Sequence, residues 1–194
     1  MRSAKIERKT KETEVKVELN LDGTGKSEVN TGIGFLDHML TLFSKHSSID
    51  LTVNSKGDLE ICDHHTVEDI GICIGLALDK ALGNKAGINR YGFFILPMDE
   101  SQATVALDLS GRSYLVYDAV FEREKLGELS TEMIEHFFQT ISQNAKMNLQ
   151  IKVTGKNNHH KCEAIFKAFA KSLKIAVQID ENSKGEIPST KGII

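Results

Sequence analysis

Two seven-residue words in the chain are versions of one another. DHHTVED (63–69) and NHHKCEA (158–164) place a histidine pair and a glutamate in the same order, so His64, His65 and Glu68 answer to His159, His160 and Glu163. The likeness extends well beyond these words. FLDHMLTLFSKH (35–46) aligns with MIEHFFQTISQN (133–144), which sets His38 on His136, Asp37 on Glu135 and Ser44 on Ser142. DLTV (50–53) aligns with NLQI (148–151), VELNLDG (17–23) with VALDLSG (105–111), and Glu12 with Glu100. The offsets drift through 88, 98 and 95 residues, so loops have changed length while the apolar pattern has persisted, the mark of an internal duplication. Such a chain is constrained to fold as two like halves that cover each other, because one βα half leaves a helix or sheet face bare.

Each copy reads as strand, strand, helix, strand, helix. TEVKVELNL alternates, with Val15, Val17, Leu19 and Leu21 on one face, the period-two pattern of a half-buried strand. Phe35, Leu36, Met39, Leu42 and Phe43 then recur at helical spacing after a glycine-containing loop, and SSIDLTVNS alternates again. A second helix begins near the histidine pair and carries Ile70, Ile74, Ala77, Leu78 and Leu82; its copy carries Ile165, Phe166, Phe169 and Leu173. The expected fold is α+β, an internally duplicated pair of βα half-domains with sheets and helices packed in pseudo-twofold symmetry. The 194 residues are expected to form a single domain of two repeats, about 8–88 and 96–180, with a C-terminal loop 181–194. That tail, ENSKGEIPSTKGII, has no usable period and reads as a mobile loop or lid.

Composition excludes several function classes. With 26% charged residues and a net charge of −3, the chain has no basic stripe for nucleic acid and no field of one sign for steering. Its longest apolar stretch, IGICIGLAL (70–78), is too short to span a bilayer, and the charged N-terminus has no secretory h-region, so a cytoplasmic location is expected with no membrane partner. Cys62, Cys73 and Cys162 are odd in number and have no framework spacing, which argues for three reduced thiols. Cys162 aligns with Val67 and Cys62 with Asn157, so neither reads as a metal thiolate; a position that accepts Val or Cys is a small buried hydrophobe.

The repeated histidines point to metal. Near a helix start, residues i and i+3 share a face, so His65 is expected to converge with Glu68 and His160 with Glu163. Adjacent residues point about 100° apart, which assigns His64 and His159 to different centres from their neighbours. With His38 and His136 the inventory is six imidazoles and two carboxylates, divisible into two sites of three histidines and one glutamate. These donors suit Mn, Fe, Zn or Ni, and the lack of thiolate argues against a closed structural zinc site. Outside the repeat, Arg90, Arg112 and Lys191 read either as solvated surface charges or as groups for a phosphate monoester.

Taken in order, FLDHML, DHHTVEDIG, NRYGFFILPMDES, LDLSGRSYL, NNHHKCEAIFKAFAKSL and IPSTKGII closely resemble imidazoleglycerol-phosphate dehydratase, a family of histidine biosynthesis, from about Arg8 to the last residue. Ser113 stands where proline is common in the family, and the loop before NNHH is one residue short. The resemblance implies conversion of D-erythro-imidazole glycerol phosphate to imidazole acetol phosphate and water, at a site with two Mn(II) ions that binds the substrate imidazole as imidazolate. It places the metal ligands at His38, His64, His65, Glu68, His136, His159, His160 and Glu163. Substrate contacts fall on Glu12, His46, Arg90, Arg112, Ser189 and Lys191, with Glu12 as the catalytic acid/base and Glu100 structural. It also implies a 24-subunit shell with active sites where subunits meet, and the length leaves no room for a fused phosphatase. Two rivals remain at this stage. A two-metal phosphoester hydrolase would use the same groups, and a metal-organised shell without catalysis would leave the arginines and Lys191 idle.

Overall fold

The computed structural model describes residues 1–183 and 185–194; Lys184, in the C-terminal loop 181–194, lies outside them. The first half runs β1 (Ser3–Lys9), β2 (Thr13–Asn20), β3 (Ser27–Asn30), α1 (Gly34–Ser47), β4 (Asp50–Gly57) and α2 (His64–Leu82). The second runs β5 (Tyr91–Met98), β6 (Ser101–Asp108), β7 (Tyr114–Asp118), a two-residue hairpin β8 (Lys125–Leu126) and β9 (Leu129–Ser130), α3 (Glu132–Asn144), β10 (Asn148–Thr154) and α4 (Asn158–Val177). Strand order is β1-β2-β4-β3 in one sheet and β5-β6-β10-β7 in the other, the same topology twice.

Register confirms the duplication residue by residue. Val17 pairs with Val53 and Leu19 with Leu51 in the first sheet; their counterparts Val105 with Ile151 and Leu107 with Leu149 pair in the second. A one-residue slip in either copy would turn these apolar side chains to the outer face, so the buried inner face fixes the register.

One element per half escapes the sequence pattern. β3 and β7 add in parallel to β4 and β10, so each half is strand, strand, strand, helix, strand, helix. Ser27–Asn30 is four residues long with only Val29 half-buried, too short for alternation to register.

The helices fill the space between the sheets, and they do so crosswise. α2 packs on β1 and β2 and α4 on β5 and β6, while α1 lies against α4 and α3 against α2. Each helix pair therefore joins the two halves. Gly71 and Gly75 on α2 permit the α2–α3 approach: a Cβ at Gly75 would stand 2.6 Å from Cβ of Asn144, and one at Gly71 would stand 3.2 Å from Cβ of Thr140. Across the α1–α4 seam, Phe43 stacks on Phe169 at 5.6 Å between ring centroids. The tail folds back on the body: Gly87 N donates to Glu186 O, and an Arg90 guanidinium nitrogen to Pro188 O at 2.8 Å. Cys73 and Cys162 are buried and Cys62 is exposed; all three are free thiols. Among the described residues no helix is long and apolar enough to cross a membrane.

Candidate active site

Crosswise helix packing gathers ligand-type residues that the sequence holds apart. His38 on α1 meets His159 and Glu163 on α4, and His136 on α3 meets His64 and Glu68 on α2. Each group offers two imidazoles and a carboxylate whose donor atoms lie within 4.8 Å of one another. Nε2 of His38 and of His159 stand 2.7 and 2.9 Å from Oε1 of Glu163, and Nε2 of His136 stands 3.1 Å from Oε1 of Glu68. Donors about 2.1 Å from a first-row metal ion end up about 3 Å apart, so the residues present fit a divalent ion in both groups.

The pairing along each helix differs from the i, i+3 expectation. Glu68 shares its group with His64, and Glu163 with His159, both at i, i+4. Both spacings put side chains near one another, and the tertiary contact decides between them. His64, Glu68, Gly71 and Gly75 line the flank of α2 that meets α3, whereas His65 lies about 100° round the helix. Adjacent histidines thus point into different surroundings, and it is His64 and His159, rather than His65 and His160, that stand beside the glutamates.

His65 and His160 instead lean on carboxylates from the strand ends. Nδ1 of His65 is 3.0 Å from Oδ2 of Asp58 and 4.0 Å from Glu12. Nδ1 of His160 is 2.8 Å from Oε2 of Glu100, whose Oε1 accepts the backbone N–H groups of Lys156 and Asn157. The Asp58 bond raises the pKa of His65, and the Glu100 bond that of His160; the same bond, with the Asn157 amide, pulls the Glu100 carboxyl well below the usual carboxylate range. For Glu163, burial alone pushes the carboxyl up, but bonds from Lys167, His38 and His159 outweigh it and hold it at about 2.

The predicted phosphate groups converge elsewhere. Arg90, Tyr91, Ser110, Arg112, Ser189 and Lys191 line a cleft of about 420 Å³ roofed by the C-terminal tail. Arg90 is bidentate to Asp108, which raises its pKa and fixes its plane at the cleft wall. Ser110 lies within the LDLSGRSYL segment but nothing in the sequence singles it out; the fold sets it beside Arg112 in the β6–β7 turn, on the cleft wall. His46 does not line this cleft. It sits half-buried on α1, where burial and then Lys171 and Lys167 lower its pKa. A larger groove of about 640 Å³ on the outer face of the first sheet is lined by charges such as Lys5 and Glu18 and contains none of the histidines.

Cleft and α4 group lie at opposite ends of the second half. Arg90 precedes β5 and its N–H donates to Ala176 O near the end of α4, whereas Glu100 follows β5 and holds His160 at the start of α4. Eight strand residues separate these ends by roughly 25 Å.

Fold and clusters together define a class, a duplicated α+β protein with two His₂Glu groups of metal-ligand geometry and a cleft lined by arginines and a lysine. The profile described as Imidazoleglycerol-phosphate dehydratase matches residues 31–173. An imidazoleglycerol-phosphate dehydratase of Clostridium botulinum is 57% identical over 194 residues, covering 100% of this chain and 98% of the relative. The crystal structure of the dehydratase from Staphylococcus aureus superposes with a TM-score of 0.83 at 40% identity, covering 92% of this chain and 99% of that one. That from Pyrococcus furiosus, in complex with (S)-C348, gives a TM-score of 0.83 at 32% identity and covers 97% and 100%. The chain belongs to the imidazoleglycerol-phosphate dehydratase family, hydro-lyases of histidine biosynthesis.

Proposed function

We propose that the chain dehydrates D-erythro-imidazole glycerol phosphate to imidazole acetol phosphate in an active site that holds two Mn(II) ions and is shared between copies of the chain. The observation that carries the di-metal reading is the crosswise meeting of α1 with α4 and of α2 with α3, which builds the same His₂Glu group twice. The eight ligands are His38, His64, His65, Glu68, His136, His159, His160 and Glu163. Within one chain, His65 and His160 stand outside both groups, bound to Asp58 and Glu100. The cleft and the α4 group lie toward opposite ends of β5, a strand roughly 25 Å long, which is longer than a substrate made of an imidazole, three carbons and a phosphate. Both facts support sites completed by another copy, consistent with a 24-subunit shell.

Two divalent ions held by these ligands would supply Lewis-acid polarisation of the substrate's imidazole, which would ease departure of the hydroxyl on the ring-bound carbon. The chain supplies the rest. Arg90, Arg112, Ser189 and Lys191 take the phosphate, the end remote from the chemistry, so that binding energy there positions the reacting carbons. His46, beside Lys167 and Lys171, adds a half-buried contact to the substrate from another face. Glu12, exposed and free of the bonds that tie Glu100, takes the proton from the carbon next to the ring-bound one. The departing hydroxide takes up one proton to become water, balancing the one Glu12 removes, and the enol tautomerises to the ketone.

The test is turnover of stripped and Mn(II)-reloaded protein, following ketone and free phosphate together. Mn-dependent ketone without phosphate is expected; phosphate release would indicate a hydrolase. Glu12→Gln is expected to lower turnover by about 10²–10⁴-fold with metal content unchanged, the scale of a lost general acid/base. Near-normal turnover of that variant would remove Glu12 from the role.

A further inference from the structure

The two copies hold their outward histidines with carboxylates from different places. In the second half the carboxylate is Glu100, in the β5–β6 turn, with Oε2 at 2.8 Å from Nδ1 of His160. Its counterpart in the first half is Glu12, yet Glu12 stands 4.0 Å from Nδ1 of His65. Asp58 has taken over, with Oδ2 at 3.0 Å. Asp58 follows Gly57, and the aligned glycine of the second half, Gly155, is followed by Lys156, whose backbone N–H donates to Glu100 instead. Gly57, like Gly155, sits where a Cβ would clash, here with Oγ1 of Thr66, so the end of β4 lies close enough to α2 for Asp58 to reach His65.

Asp58 is committed to this contact. Its side chain is 17% exposed, and Oδ1 is buried with no hydrogen-bond partner among the described residues, so the imidazole is the one group that bonds its carboxylate. Glu12, by contrast, is 56% exposed and bound to no donor through its side chain among the described residues.

We infer that Asp58 and Glu100 are positioning residues: each takes the Nδ1–H of its histidine, so that His65 and His160 present Nε2 as the ligand atom to a neighbouring copy's metal, and Asp58 thereby frees Glu12 from the duty its repeat partner Glu100 performs. This rests on the reading of His65 and His160 as ligands. A bond at Nδ1 fixes both tautomer and ring direction, and its loss leaves the imidazole free to turn or to protonate at the ligating nitrogen.

The test is Mn(II) affinity, measured by equilibrium dialysis with metal analysis on purified full-length protein, alongside particle mass by light scattering. Asp58→Ala is expected to weaken Mn(II) binding about 10–100-fold and to lower the assembled fraction, with Asp58→Asn, which keeps an acceptor oxygen, restoring most of both. Glu100→Gln compared with Glu100→Ala is expected to repeat the pattern independently, should Asp58→Ala fail to fold. His65→Ala is the reference. Loss of metal in His65→Ala with unchanged affinity in both Asp58→Ala and Glu100→Ala would overturn the positioning role alone. Unchanged affinity in His65→Ala would overturn the ligand reading and this inference with it. A loss in Asp58→Asn as large as in Asp58→Ala would also overturn it, since an acceptor at Nδ1 would then not be what matters.

Discussion

The α1–α4 group and the α2–α3 group descend from one arrangement, yet their carboxylates live in different surroundings. Glu163 is 8% exposed; one oxygen serves His38 and His159, and the other binds Nζ of Lys167 at 2.5 Å. Glu68 is 39% exposed and among the described residues bonds His136 alone, while His64 leans on the His136 ring at 4.8 Å between centroids. The position aligned with Lys167 is Ile72, so only one copy carries the ammonium. Duplication thus preserved the ligand geometry, while the residues that bond the carboxylates diverged. An ion entering the α1–α4 group meets a carboxylate already neutralised by Lys167, beside a His159 ring that Phe35 faces edge-on at 5.3 Å between centroids. The α2–α3 group offers an open carboxylate with no cation bound to it among the described residues. We expect the α2–α3 group to fill first when metal is limiting.

The largest effect that would break the comparison comes from the carboxylates themselves. Glu163→Gln and Glu68→Gln each remove a charged ligand, and each is expected to abolish one ion per chain and to lower turnover by more than the roughly 100-fold upper range of second-shell losses. Metal analysis at limiting Mn(II) separates them. Glu68→Gln should remove the tighter ion and Glu163→Gln the weaker, and the opposite order would show that openness does not set affinity.

A smaller change sharpens the comparison through packing. Gly75→Ala places a methyl 2.6 Å from Cβ of Asn144 and 3.1 Å from the Ala145 amide nitrogen, so α2 and α3 must part. Overpacking of this kind costs about 1–3 kcal/mol, to be read in a denaturation midpoint of metal-free protein. Because His136 reaches Glu68 across this seam, the same variant is expected to weaken the α2–α3 ion and spare the α1–α4 one, where Ala170 occupies the aligned position. Equal weakening at both would indicate that the helix pairs are not independent supports.

Much of this organisation was legible in the residues because duplication acts as an internal control. Val17, Leu19, Leu51 and Val53 reproduce their register at Val105, Leu107, Leu149 and Ile151, and the ligand-type residues recur against changing loops. What stayed hidden was tertiary. Nothing in the spacing of His38 and His136 says that each crosses to the other half's helix, and the choice between His64 and His65 as partner of Glu68 turns on which flank of α2 faces α3. The four residues of β3 are too few to show a period, and Asp58 drew no notice because its repeat partner, Lys156, is of opposite charge. Residues copied in both halves were visible; residues that make the halves different were not.

Lys167 is the smallest and most pointed of those differences. Lys167→Met keeps the side chain's length and removes its cation, so Glu163 should give more of its charge to an incoming ion. We expect tighter binding at the α1–α4 group by about tenfold, the scale of a charged hydrogen bond, and a narrower gap between the two groups. Acid titration of metal-free protein offers a second reading with a definite sign. A carboxylate held at about 2, below its unfolded value of 4.5, stabilises the fold above that unfolded value, and the contribution disappears as pH falls toward 2. Removing the Lys167 bond leaves burial, which pushes the carboxyl up, less opposed, so the acid unfolding midpoint of Lys167→Met should move to higher pH. An unmoved midpoint together with unchanged loading order would show that the ammonium at 2.5 Å does not set the asymmetry, and would return the difference between the groups to exposure alone.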